Sequence, residues 1–172
     1  MIQRPQQGEY KPYFQTYINH VPEGDFMDLL AANTNEAITF FENLPVHKHD
    51  YRYTEDKWTI KQVLMHIIDV ERIMAYHALV AARGDNTTPL HPMDDHLYMS
   101  NSNAGNRTLE SLLQEFRSVR GATESLFAIM THEQSIFPAN AVNYTVTARA
   151  LGYIILGHMW HHIKVTEINY LG

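Results

Sequence analysis

The sequence contains no cysteine among its 172 residues. It can therefore build no disulfide framework, thiolate metal site or thiol nucleophile. Any thiol chemistry must use a thiol that arrives as a co-substrate. Long apolar runs are also missing, and a membrane-spanning helix needs about 18 consecutive apolar residues. Positive charge is scarce: 13 Lys and Arg against 19 Asp and Glu leave a formal charge of −6. That balance argues against a nucleic-acid interface, which needs a basic face. It argues equally against a polybasic membrane anchor. The opening MIQRPQQGEY has no apolar core for a secretory leader. Together with the missing cysteine, this makes the cytoplasm the expected location.

What remains is a chain of the length of one domain, residues 1–172. Its hydrophobic pattern is helical nearly throughout. Pro12–His20 reads as a short lead-in helix, broken by Pro22, Glu23 and Gly24. Asp25–Asn43 carries Phe26, Leu29, Leu30, Ala37, Phe40 and Phe41 at helical spacing and stops before Pro45. Thr59-x-x-Gln62 is a capping box that opens a second helix running to Arg83, before Gly84-Asp85. Thr108 caps a third helix that runs to Met130. Thr147 caps a fourth, from Ala148 to near Tyr170. The span Gly84–Arg107 has no long period, although Met93–Met99 can form a short helix. A connection of that length is more often functional than idle. His132–Thr147 reads as another connection, with an extended piece at Tyr144, Val146 and Thr147. The fold class is all-α, a four-helix bundle.

Histidine is abundant, at 11 residues. The strongest local signal is Gly157-His158-Met159-Trp160-His161-His162. His158 and His162 lie about 40° apart on one helix face, which they share with Leu151, Ile154, Ile155 and Val165. Two imidazoles inside an apolar stripe need partners, and a metal ion supplies one for both. His at i and i+4 can converge on a single ion, as in zincins, though the zincin glutamate is absent here. His66, beside Val70 and Ile73 on the second helix, is the candidate third ligand. Three neutral imidazoles leave a position open for water or substrate, the arrangement of a catalytic site. His161 at i+3 competes with His162, and spacing does not choose between them. His77 shares the stripe of His66 but sits about 16 Å along the axis, so it reads as structural or as part of a pocket wall. His47, His49, His91, His96 and His132 fall in connections.

The block Lys57–Arg72, with Trp58-Thr59, Val63, His66 and Asp69 in register, resembles the DinB-like superfamily. So do Ala82-Arg83-Gly84-Asp85, Ser100-Asn101-Ser102-Asn103-Ala104 and Arg149–His162. The resemblance runs from about Asp25 to Tyr170. It implies an up-down-down-up four-helix bundle and a site for Ni²⁺, Zn²⁺ or a similar divalent ion such as Fe²⁺. Carried onto this chain, the ligands it implies are His66, His158 and His162. It also implies a homodimer acting on small molecules. Some members transfer a low-molecular-weight thiol to an electrophile, and others look like hydrolases.

Two carboxylates complete the candidate site. Glu71 falls within the apolar arc of the second helix, either as a group supporting the metal or in a buried ion pair with Arg149 or Arg120. Asp69, one turn from His66, could orient a ligand's second ring nitrogen. Trp58 reads as a packing anchor. Tyr51, Tyr53, Tyr98 and Tyr144 could cover one bundle end. The expected function is a metal-dependent thiol transferase or hydrolase. The alternative is a non-catalytic bundle that binds a metal or small ligand.

Overall fold

The computed structural model describes residues 2–172. An N-terminal arm enters a 3-10 turn at Pro12–Phe14 and the short helix α1, Gln15–Ile18. Four long helices follow: α2 (Phe26–Glu42), α3 (Ile60–Ala82), α5 (Leu109–Ala128) and α7 (Ala148–Thr166). Each starts where an oxygen side chain accepts a bond from an otherwise orphan backbone N–H. Asp25 serves α2, Thr108 serves α5 and Thr147 serves α7. At α3 the capping box is complete: Thr59 Oγ1 accepts from Gln62 N, and Gln62 Oε1 accepts from Thr59 N.

In the bundle α3 packs between α5 and α7, and α2 packs between the same two helices on the opposite side. Consecutive helices α2 and α3 therefore stand diagonally. Cross-links give the directions. Asn33 reaches Leu156 and Glu36 reaches Trp160, so α2 and α7 run parallel. Thr34 meets Glu124 and Glu42 meets Arg117, so α2 and α5 run antiparallel. Lys61 reaches Gly105, Met65 meets Arg107 and Arg72 meets Glu115, so α3 and α5 run parallel. The order is up-down-down-up.

This topology explains the long connection between α3 and α5. Parallel neighbours cannot be joined by a tight turn, and the chain must travel back along the whole of α3, about 34 Å. On the way it forms α4, Asp95–Asn101, close to the expected Met93–Met99. The segment after Met130, expected as a connection with one extended piece at Tyr144, Val146 and Thr147, is more ordered than that. Thr131 and Gln134 form a second capping box that opens the short helix α6, His132–Ile136. A two-residue antiparallel pair follows, β1 (Ala139–Asn140) with β2 (Thr145–Val146). These pieces are too short for periodicity to show in the sequence.

The apolar interior divides into two clusters. One gathers Phe26, Phe127, Leu151 and Ile154 around the lead-in. The other gathers Phe41, Leu64, Phe116, Met159 and Ile163 at the opposite end. A polar layer separates them, with Asn33 from α2, Glu71 from α3, Arg120 from α5 and His158 from α7, all buried. The chemistry of the molecule sits beside this layer.

Candidate metal centre

Helical geometry places three of the histidines together. His66 on α3 and His158 on α7 face each other across the bundle, and His162 sits one turn beyond His158. The Nε2 atoms of His66 and His158 are 3.1 Å apart, and those of His162 and His158 are 3.0 Å apart. One donor atom from each ring lies within 4.8 Å of the others. His66 and His158 are buried and His162 is half-buried. Trp58 packs over His66 with ring centroids 4.8 Å apart.

Hydrogen bonding among the rings does not account for this cluster. A neutral imidazole nitrogen offers one proton or one lone pair. His158 Nε2 has two neighbours at bonding distance and can serve only one of them well. The Nδ1 atoms of His66 and His162 are buried without any partner. An unmet buried polar group costs about 1–3 kcal/mol. Three convergent lone pairs instead fit a cation, and imidazole is a ligand for first-row divalent metals. Burial holds all three rings in the form that has a lone pair to give. It pushes His162 down to about 3, helped by the charges of His66 and His161. It lowers His158 well below the ordinary value, helped by His162 and His66. It also lowers His66, against an upward pull from Asp95.

His161 points elsewhere. Its ring packs on Tyr17 and His20, at centroid distances of 5.3 and 5.7 Å. The two carboxylates singled out in the sequence do not reach the rings. Glu71 forms a two-pronged pair with Arg120, with both contacts at 2.8 Å. Arg120 also donates to Asn33 at 2.8 Å. Burial beside a guanidinium therefore commits Glu71 to structure, and Arg149 pairs with Glu9 instead. Asp69 turns outward to Arg72 at 3.6 Å. The carboxylate nearest the rings is Asp95 at the start of α4, whose Oδ1 lies 3.9 Å from His66 Nδ1. Nothing local in the sequence marks Asp95, because only the return of the long connection over α3 brings it there.

A cavity of about 200 Å³ adjoins the cluster and is lined by His66 and His158. Its floor is α3 and α7. Tyr13, Phe14 and Tyr17 of the lead-in close one side, and Leu90, Pro92 and Met93 of the long connection form its roof. Exposed Tyr13 and Asp95 stand at its mouth. The lead-in comes close because residue 157 is glycine: Tyr17 packs its ring edge on His158 at 5.2 Å. Tyr51 and Tyr53 pack on Tyr170, away from this cavity.

Comparison with solved structures finds the same architecture. YfiT from Bacillus subtilis, described as a probable metal-dependent hydrolase with an unusual four-helix bundle topology, superposes with a TM-score of 0.66 at 18% identity. The match covers 96% of this chain and 92% of that one. A mycothiol-dependent maleylpyruvate isomerase superposes with a TM-score of 0.65 at 10% identity. That match covers 89% of this chain but only 62% of the isomerase. At these identities the likeness is one of fold. No curated protein sequence matches. The sequence profile of the DinB superfamily matches residues 29–165, most of the chain. With that match, the chain belongs to the DinB superfamily.

Proposed function

We propose that the protein is a metal-dependent enzyme whose single divalent ion is held by His66, His158 and His162. The observation that carries this reading is the convergence of one ring nitrogen each from His66, His158 and His162, with His66 and His158 lining a cavity that opens to solvent. An ion held by three imidazoles keeps an open position and lowers the pKa of a thiol or water there, which suits thiol transfer to an electrophile or hydrolysis. The chain's own groups do the rest. Trp58 covers His66 and excludes water from that side. Asp95 stands where it can steady the His66 ring through Nδ1. The apolar floor and roof of the cavity hold a small-molecule substrate against the rings. With no cysteine in the chain, a thiol route takes a low-molecular-weight thiol as co-substrate. Zinc and nickel are the first metals to test, with iron next. A homodimer working in the cytoplasm completes the proposal.

A bundle that only held a metal would have no need of a solvent-connected cavity at its ligands, so the cavity favours a protein that takes a small molecule there. The test is elemental analysis of protein purified without a metal-affinity tag. Near one divalent ion per chain is expected in wild type and in His161→Ala, with loss in His66→Ala and His162→Ala. No metal in wild type, even after incubation with Zn²⁺ or Ni²⁺, would overturn the proposal.

A further inference from the structure

His77 is not explained by the metal centre. It lies eleven residues beyond His66 on the same face of α3, about 16 Å along the helix axis, yet both rings line the same cavity. It is 9% exposed. No described residue hydrogen-bonds to its ring; burial lowers its pKa, helped by the charge of the nearby His91. Its ring nitrogens are unpaired but not sealed from solvent, and the ring lines a space that can admit a ligand.

The cavity thus has two polar ends and an apolar middle. At one end are His66 and His158. Between the ends, Val70, Ile73, Met74, Leu90 and Ile154 offer only hydrocarbon and thioether surface. At the other end is His77. Among the described residues no lysine or arginine lines it, so no cationic side chain there rewards a terminal carboxylate or phosphate. A neutral imidazole has one donor and one acceptor, and burial keeps His77 below its ordinary pKa, in that neutral form.

We infer that His77 is the distal anchor of the substrate cavity. Resting on the metal reading above, this makes the ligand an elongated molecule with a metal-seeking head, an apolar body and an uncharged polar tail such as a hydroxyl, carbonyl or amide. His77 is a specificity-determining residue: it bonds the tail and selects against purely hydrocarbon chains of the same length. Tyr144, which also lines the cavity, is the alternative partner for the tail and provides the comparison variant.

The test uses full-length protein loaded with Co²⁺, whose visible bands report ligands entering its coordination shell. A homologous series of alkane-1-thiols is titrated beside ω-mercapto-1-alkanols of equal carbon count. Wild type is expected to bind the hydroxyl-ended thiols about 5-fold more tightly over a narrow band of chain lengths, the worth of one net hydrogen bond. His77→Leu should abolish that preference with cobalt content unchanged. His77→Gln, which keeps a donor and an acceptor, should retain part of it. Equal binding of the two series in wild type would overturn the anchoring role of His77. So would a preference that survives in His77→Leu, or one lost only in Tyr144→Phe. Absence of cobalt binding, or of any thiolate band in every variant, would overturn the metal reading together with the anchor that rests on it.

Discussion

The backbone carbonyl oxygen of Tyr17 stands 2.0 Å from the point where a β-carbon on residue 157 would lie. Helix α1 can rest on α7 only because Gly157 has no side chain. The contact matters because the Tyr17 ring is part of the cavity wall and packs on His158. Gly157→Ala should force the lead-in off the bundle. A backbone atom cannot yield as a side-chain tip can, so the cost should reach at least the range of about 1–3 kcal/mol for overpacking. That corresponds to a fall in Tm of several degrees for a chain of this size. Gly121 on α5 is the control, since a β-carbon there meets nothing within 4 Å. Gly121→Ala should stabilise the helix by about 0.5–1 kcal/mol. Thermal unfolding of both variants beside wild type measures the contrast, and a neutral Gly157→Ala would show that the lead-in is not seated as described.

The pair Glu71–Arg120 gives a second prediction. Both side chains are at most 2% exposed, and the guanidinium engages both carboxylate oxygens. Removing one partner leaves a buried charge unmatched, which costs about 3–5 kcal/mol. Glu71→Gln should therefore destabilise strongly in urea unfolding at neutral pH. Replacing both residues with methionine should cost far less, because the desolvation of two charges disappears with the pair. Equal losses for the single and double variants would argue that Asn33 and Thr34, which also meet Arg120, hold most of the interaction.

Glu71 also shows what the sequence could reveal. Its position in an apolar arc announced a buried carboxylate, and the arc itself, the capping boxes and the four helices were all readable from spacing. Thr59, Thr108 and Thr147 act as caps because capping depends on three or four consecutive residues. The choice between Arg120 and Arg149 was not readable, because it depends on which helices become neighbours. Spacing likewise left His161 and His162 open. The structure separates them through α1, which occupies the side of α7 that His161 faces. Asp95 and strand β1 escaped for the same reason: each is placed by contacts distant in sequence, not by local period. Strand β2 falls on the expected extended piece, and α6 was missed although its capping box, Thr131 with Gln134, is as local as that of Thr59.

The N-terminal arm should respond to acid. Glu9 accepts from the Arg149 guanidinium and from the Thr147 hydroxyl. Burial alone would raise its carboxyl, but the bonds from Arg149, the Gln6 N–H and Thr147 outweigh burial and hold it below the ordinary value of 4.5. A carboxyl with a lowered folded-state pKa contributes stability that is fully present above its unfolded value. That contribution is lost as pH falls through the folded value. The arm should therefore stay docked at pH 7 and loosen below about pH 4.5, before the bundle itself unfolds. Hydrogen exchange of residues 2–11 across that range reads the change directly. Glu9→Gln should show the loosened pattern at pH 7, and an arm equally protected in that variant would remove the ion pair from its attachment.

Metal loading should separate the ligands from their support. An ion that binds only the folded state stabilises it by about 2.7 kcal/mol at a hundred times its Kd. Zn²⁺ or Ni²⁺ should then raise the Tm of wild type, and a chelator should reverse the rise. His66→Leu should lose the rise entirely while the metal-free protein keeps its stability, because leucine removes a buried ring whose Nδ1 has no partner. Asp95 lies 3.9 Å from that nitrogen, at the start of α4 in the long connection rather than on one of the four long helices. In the proposed site it would steady the ring once the other nitrogen is engaged. Asp95→Asn should leave the metal-free Tm unchanged and weaken metal affinity by about 10-fold or more, the usual cost of losing a partner behind a ligating histidine. Competition against a zinc chelator of known affinity measures this. An unchanged affinity would remove Asp95 from the support of the site without touching the three histidines.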